Sequence, residues 1–268
     1  MPWDCLFARK RRLLLLLGTV TPIESAPPRG LPPFDLLESL LWEEGRGFYL
    51  LGHHAERLRG SAAALGFEFS TQGLDLALAE LDSVVRRGRH KVRVLLSRGG
   101  KFVVESAPVA SLSGGRVAVA REAIPRGAPL LRHKTTYRKL YSDLLQDQQA
   151  HEPGIVDVIL WDEAGYVTES GVANVVIESR GNRYTPSLQQ DLLPGVFRRS
   201  LLDQGVVAER QITLAELHEA DAVFLVNSVR GWMPLDPTGR QGAWSIRSDF
   251  CYSTPRVTIP LGLENRTI

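Results

Sequence analysis

Apolar positions alternate between the close spacing of strands and the wider spacing of helices along most of the chain. Residues 34–42 form a nearly continuous apolar run broken by Asp35, Glu38 and Ser39. With residues 48–51, across a Glu-Glu-Gly-Arg-Gly turn, they predict a hairpin. Leu58, Ala62 and Leu65 share one face of a helix predicted over residues 53–65, which Gly66 is placed to end. Leu74, Leu78, Leu81 and Val85 align on a second helix over 74–85. Residues 91–97 and 102–105 flank an Arg-Gly-Gly-Lys turn as another hairpin, and 117–120 predict a further strand before Pro125 and Pro129 punctuate the chain.

In the second half, Tyr137, Leu140, Tyr141, Leu144 and Leu145 follow the i, i+3, i+4 helical pattern, so Thr135 or Thr136 is placed to cap a helix starting directly after Lys134. Residues 155–161 and 167–177 read as the two strands of a hairpin around Asp-Glu-Ala-Gly, with Glu169 and Asn174 both on the second strand. Residues five apart on one ideal strand face opposite ways, so a bulge near Gly171 is expected to reorient one of them. The run Leu-Pro-Gly-Val-Phe-Arg-Arg-Ser over 193–200 reads as a loop turning into a helix that ends at Gly205. It leaves the backbone N–H groups of Val196 and Phe197 free, a natural seat for a phosphate. Residues 221–227 predict a last core strand, and no internal repeat is evident.

Composition narrows the class. Hydrophobic residues make up 44% and charged residues 23% of the 268, ordinary values for a folded globular protein. With 32 basic and 30 acidic side chains the net charge is +2, too small to argue for nucleic acid or an anionic membrane, and a small-molecule substrate is the default partner. Cys5 and Cys251 are far apart and fit neither a disulfide framework nor a zinc site, as in a reducing cytoplasm. The basic stretch at 9–12 followed by five leucines mimics a signal peptide, but the apolar run is short and Pro22 and Glu24 follow it. It falls far below the roughly 20 apolar residues of a membrane span. The expectation is a cytoplasmic α/β (α+β) protein with a tail or linker over 1–30, a small N-terminal lobe over 31–128 and a larger C-terminal lobe over 129–268.

Two segments carry candidate chemistry. The run His-Lys-Thr-Thr-Tyr-Arg places Lys134 beside a predicted helix, and Tyr-Val-Thr-Glu-Ser-Gly-Val-Ala-Asn places Glu169 in a hairpin. Either residue alone would be read as a solvated surface charge, but their order and spacing over residues 34–235 resemble the fold-type-IV enzymes that use pyridoxal phosphate. That family holds branched-chain aminotransferases, D-amino-acid aminotransferases and aminodeoxychorismate lyases. The lysine segment and the Phe-Asp-Leu-Leu-Glu-Ser-Leu-Leu-Trp run are most similar to the lyases.

The resemblance implies a two-lobed fold and pyridoxal phosphate as cofactor. Lys134 would hold the cofactor covalently and then act as the proton-transfer base. Glu169 would pair with the pyridine nitrogen. Arg57, with Arg59 as its nearby competitor, the N–H groups of Val196 and Phe197, and the Ser228 hydroxyl would hold the phosphate. Asn174 would support the site, unless it serves only its own hairpin backbone. His53 and His54 invite a metal reading, but neighbouring helical positions do not converge on one ion, and no metal is expected. Arg93 and Arg98 are read as exposed hairpin positions rather than substrate contacts. The implied reaction is loss of pyruvate from 4-amino-4-deoxychorismate to give 4-aminobenzoate, with aminotransfer as the alternative. A homodimer and a functional link to an aminodeoxychorismate synthase follow by analogy.

Overall fold

The computed structural model describes residues 11–14, 31–85, 87–110, 115–128, 130–238 and 242–247. The first sheet is built from β1 (Arg11–Leu14), β2 (Leu36–Glu43), β3 (Gly47–Phe48), β4 (Arg89–Leu96) and β5 (Phe102–Pro108), in the antiparallel order β1-β5-β4-β2-β3. Two helices, α1 (Leu51–Leu65) and α2 (Thr71–Val84), cover it. Leu40 and Val92 from the strands pack with Leu58, Leu74 and Leu78 from the helices into one apolar core. Ser70 caps α2 by accepting from the N–H of Gly73 at 3.1 Å, which starts the helix one turn earlier than the apolar spacing predicts. The expected strand over 48–51 is cut short because Leu50, at φ 53°, turns left-handed and opens α1 at Leu51. Strand β1 falls within the expected N-terminal tail and pairs with β5 from Arg11↔Ser106 to Leu14↔Val103; the other residues of 1–30 lie outside those described.

The second sheet takes β6 (Arg116–Val119), β7 (Ile155–Trp161), β8 (Val167–Ser170), β9 (Asn174–Ser179), β10 (Asn182–Pro186), β11 (Ala208–Arg210), β12 (Ala222–Asn227), β13 (Gly231–Pro237) and β14 (Ala243–Ile246). Its order is β11-β10-β9-β12-β13-β14-β6-β7-β8, and a further β8–β9 pairing closes the ring from β9 round to β8. The chain passes between the sheets after Pro108 and before Arg116, earlier than the expected boundary at 128/129. Inside the ring, Val117, Ile159, Val175, Leu225 and Met233 form the second core. Helix α3 (Lys139–His151) packs on β7 through a third apolar cluster that includes Leu140 and Leu144. Helix α4 (Val196–Asp203) buries Phe197 and Leu201 against Val176 and Val226, and the short α5 (Leu214–His218) begins in a capping box between Thr213 and Glu216. The result is a mixed, two-lobed α/β architecture. No helix among the described residues is long and apolar enough to cross a membrane.

Candidate active site

A cavity of about 290 Å³ lies where the two sheets meet, lined by β2 and β4 from one side and by β8, β9, β12 and α4 from the other. Lys134 reaches it from the link between β6 and α3. This corrects the expected helix entrance: α3 begins at Lys139, with Arg138 at its N-cap and no side-chain cap. Thr136 Oγ1 instead accepts from the Asp35 N–H at 2.9 Å, and Thr135 donates to the Tyr137 carbonyl at 3.3 Å. The lysine backbone is tied to β2, for the Leu37 N–H donates to the Lys134 carbonyl and the Thr136 N–H to the Asp35 carbonyl, both at 2.9 Å. Tertiary pairing to the first sheet has taken the place of a local helix start.

No hydrogen bond or ion pair joins the Lys134 amine to another described residue. Burial first, then the charges of Arg138 and Arg57, hold its pKa down at about 7. An amine so placed is substantially neutral near pH 7 and free to bond or to take a proton.

Glu169 and Asn174 do not share a strand as expected. A turn over 171–173 divides the segment into β8 and β9, and the two residues face each other as a cross-strand pair; the reversal, rather than a bulge, brings both to the cavity. Glu169 is buried, and its Oε1 accepts from the Tyr141 hydroxyl at 2.8 Å. Burial pushes its pKa up to about 7, which Tyr141 and Arg138 only partly counter. A buried carboxylate held half-protonated in this way has room for a cationic partner.

Beside Glu169, Asn174 Nδ2 donates to the Leu193 carbonyl at 3.0 Å. This ties the Asn174 side chain to the loop leading into α4 rather than to its own hairpin backbone. A Cβ on Gly195 would lie 1.8 Å from Asn174 Oδ1, so a side chain there would force Asn174 or the α4 entrance to shift. Helix α4 has no side-chain cap, which leaves the first-turn N–H groups of Val196 and Phe197 without intrahelical acceptors beside the cavity. Ser228, also lining it, donates to the Ser39 carbonyl at 3.2 Å.

Arg57 lines the cavity, whereas Arg59 is exposed. Arg57 donates to both carboxylate oxygens of Glu38, at 2.8 and 2.6 Å, and to the Pro194 carbonyl at 3.0 Å, linking the first lobe to the α4 loop. His54 Nδ1 lies 2.7 Å from Glu38 Oε2. Burial would raise the Glu38 pKa, but Arg57 and His54 overcome it and bring the value to about 2. His54 is therefore a buried partner of Glu38, and no group of His, Cys, Asp and Glu among the described residues is arranged to hold a metal.

Arg98 is not an idle exposed position: it donates to the carbonyls of Leu65 and Gly66, closing the end of α1. Arg93, also expected to be exposed, is partly buried, lines the cavity and pairs with Glu105 at 3.4 Å. The sequence reading missed Glu38, Tyr141 and Arg138. An acidic residue inside the apolar run of β2 was the available signal for Glu38. Tyr141 was absorbed into the apolar face of a helix.

These residues suit pyridoxal phosphate: an amine without a hydrogen bond or ion pair, a buried carboxylate without an ion pair, and an uncapped helix start beside an arginine.

Residues 35–236 match the amino-transferase class IV family. A protein of Schizosaccharomyces pombe provisionally named an aminodeoxychorismate lyase is 29% identical over 203 residues, covering 73% of this chain and 86% of its own. The structure of a Mesorhizobium loti protein provisionally named an amino-acid aminotransferase superposes with a TM-score of 0.68 at 33% identity, over 75% of this chain and 98% of that one. A Legionella pneumophila structure provisionally named a 4-amino-4-deoxychorismate lyase shares the fold, with a TM-score of 0.62 at 21% identity over 74% and 80% of the two chains.

Proposed function

The chain belongs to the amino-transferase class IV family, and we propose that within it the protein is a 4-amino-4-deoxychorismate lyase. It would release pyruvate from 4-amino-4-deoxychorismate and leave 4-aminobenzoate, a folate precursor. The observation that carries the lyase over an aminotransferase of hydrophobic amino acids is the charge of the cavity. Lys91, Arg93, Arg138 and Arg230 line it in addition to Arg57 and Lys134. That excess of cations suits a substrate with two carboxylates beside a phosphate. The name of the S. pombe relative supports the same reading. Aminotransfer is the second reading, favoured by the 33% identity to the M. loti protein.

In either reading Arg57, the Val196 and Phe197 N–H groups and the Ser228 hydroxyl would hold the phosphate of pyridoxal phosphate, Glu169 would face its ring nitrogen and Lys134 would bond to it. When bound, the cofactor supplies a sink for the electron pair left on carbon as a proton departs. Once the substrate amine has displaced it from the cofactor, Lys134, its pKa held down at about 7, would take the proton from the carbon bearing the substrate amine. Glu169 would keep a proton on the ring nitrogen, and Tyr141 holds the Glu169 carboxylate in place through its hydroxyl. In the lyase the neighbouring enolpyruvyl oxygen then leaves and the substrate ring becomes aromatic. In an aminotransferase Lys134 would instead return the proton to a different carbon, so the same side chains serve both outcomes. The same proposal makes the protein a cytoplasmic homodimer that receives its substrate from an aminodeoxychorismate synthase.

The test is to supply purified, cofactor-loaded protein with enzymatically generated aminodeoxychorismate and to measure pyruvate and 4-aminobenzoate, with Lys134→Ala as control. Equimolar release that is lost in the variant establishes the lyase. No release, with glutamate formed from 2-oxoglutarate and an amino acid, replaces it with the aminotransferase.

A further inference from the structure

The cations of the cavity differ in what already engages them. Arg57 is taken up by Glu38, Arg93 pairs with Glu105, and Arg230 donates to the Ala110 carbonyl at 2.9 Å. Arg138 makes no ion pair of this kind with a described residue, although its charge reaches the buried carboxylates of Glu169 and Asp157 and helps to hold down pKa values that burial raises. Its guanidinium donates to the Gly171 carbonyl and lies over the Tyr141 ring, 3.9 Å from the centroid. These two contacts fix the plane of the group and use one face and one of its five N–H donors. The remaining donors belong to a partly buried, immobilised cation lining the cavity. A fork held in this way matches the flat, two-oxygen edge of a carboxylate, and most of the ordering cost of binding has been met in folding.

We propose that Arg138 is the substrate's carboxylate anchor. It follows Lys134 by four residues in the sequence and is braced against the turn after Glu169. The anchored carboxylate is thereby fixed to the same two segments that carry the reactive amine and the acidic residue. A neutral or hydrophobic substrate would leave the remaining N–H donors of this guanidinium without acceptors, so Arg138 selects for acidic substrates as well as positioning them. The inference rests on the reading that the cavity takes a carboxylate-bearing amine.

Benzoate and benzamide share a ring and differ in charge, so their equilibrium affinities for the cofactor-loaded protein, measured by calorimetry, isolate the carboxylate contact. The wild type is expected to favour benzoate. Arg138→Gln should weaken benzoate by about tenfold to a hundredfold, the worth of hydrogen bonds to a charged group, and leave benzamide unchanged. Arg138→Lys, which keeps a charge but loses the fork, should fall between them. Should Arg138→Gln fail to fold, the wild-type preference together with Arg138→Lys decides the matter. Equal binding of the two ligands by the wild type, or variants that lose both alike or neither, overturns the anchor. Absent pyruvate release alongside an intact, Arg138-dependent benzoate preference overturns the lyase and leaves the anchor standing.

Discussion

Glu169 and Asn174 face each other across β8 and β9, in the one register pair through which these strands meet among the described residues. The contact that closes the ring of strands thus also sets Glu169 and Asn174 side by side against Leu193 in the loop leading into α4, which Asn174 holds through the Leu193 carbonyl. Fold closure and site geometry depend on the same pair.

Glu169 gives the cofactor-free protein a distinctive dependence on pH. Burial raises its pKa from 4.5 to about 7, so the native state holds the proton more tightly than the unfolded chain. That advantage is complete below pH 4.5 and is lost as pH rises through about 7. Glu169→Gln should gain on the wild type across this window, by about 3 kcal/mol at most. Urea unfolding at a series of pH values measures it, and a difference independent of pH would sink the assignment.

Lys134 has the opposite dependence. Its pKa falls from 10.5 to about 7 on folding, so its penalty is full below about 7 and is relieved as pH rises toward 10.5. Cofactor-free Lys134→Met should therefore be more stable than the wild type at pH 6, with the gap closing toward pH 10. The same variant should lose turnover by about 10³-fold, the contribution expected of a positioned proton-transfer base. A variant that keeps wild-type turnover removes Lys134 from the chemistry.

Gly195→Ala tests the phosphate end. The added carbon would sit 1.8 Å from Asn174 Oδ1, and the collision must displace either the Asn174 side chain or the α4 entrance. Fluorescence titration should show weaker affinity for pyridoxal phosphate, with little change in the binding of benzoate to protein saturated with cofactor. Unchanged cofactor affinity would mean that the α4 entrance does not hold the phosphate.

Glu38→Gln should be among the more costly single changes in the first lobe. It leaves Arg57 and His54 without the carboxylate that both contact. Losing one partner of a buried charge network costs about 3–5 kcal/mol, read as a lowered midpoint of thermal unfolding. Glu38→Gln combined with Arg57→Met should recover part of the loss, since no unpaired charge then remains; a further drop would show that the two residues contribute independently.

Much of this architecture was legible in the chain because local periodicity reports which face of an element is buried. The spacing of Leu74, Leu78 and Leu81 marked α2, and the Leu-Pro-Gly-Val-Phe run marked the start of α4. Elements failed where a partner distant in sequence overrode the local signal. The threonines after Lys134 looked like helix caps, yet hydrogen bonds to β2 hold that segment extended. The stretch from Val167 to Ile177 looked like one strand because its apolar residues run through the turn at Gly171.

Residue type and order, through their resemblance to the fold-type-IV enzymes, marked the candidates: an amine at 134, a carboxylate at 169 and an arginine at 57, while the uncapped helix start at 196 was legible in the Leu-Pro-Gly-Val-Phe run itself. Tertiary structure alone decided what surrounds them. It selected Arg57 over Arg59, gave it to Glu38, left Lys134 unpartnered and set Arg138 against the Gly171 turn and the Tyr141 ring. Burial and charge pairing depend on atoms that are distant along the chain and adjacent only after folding, and periodicity carries no record of them.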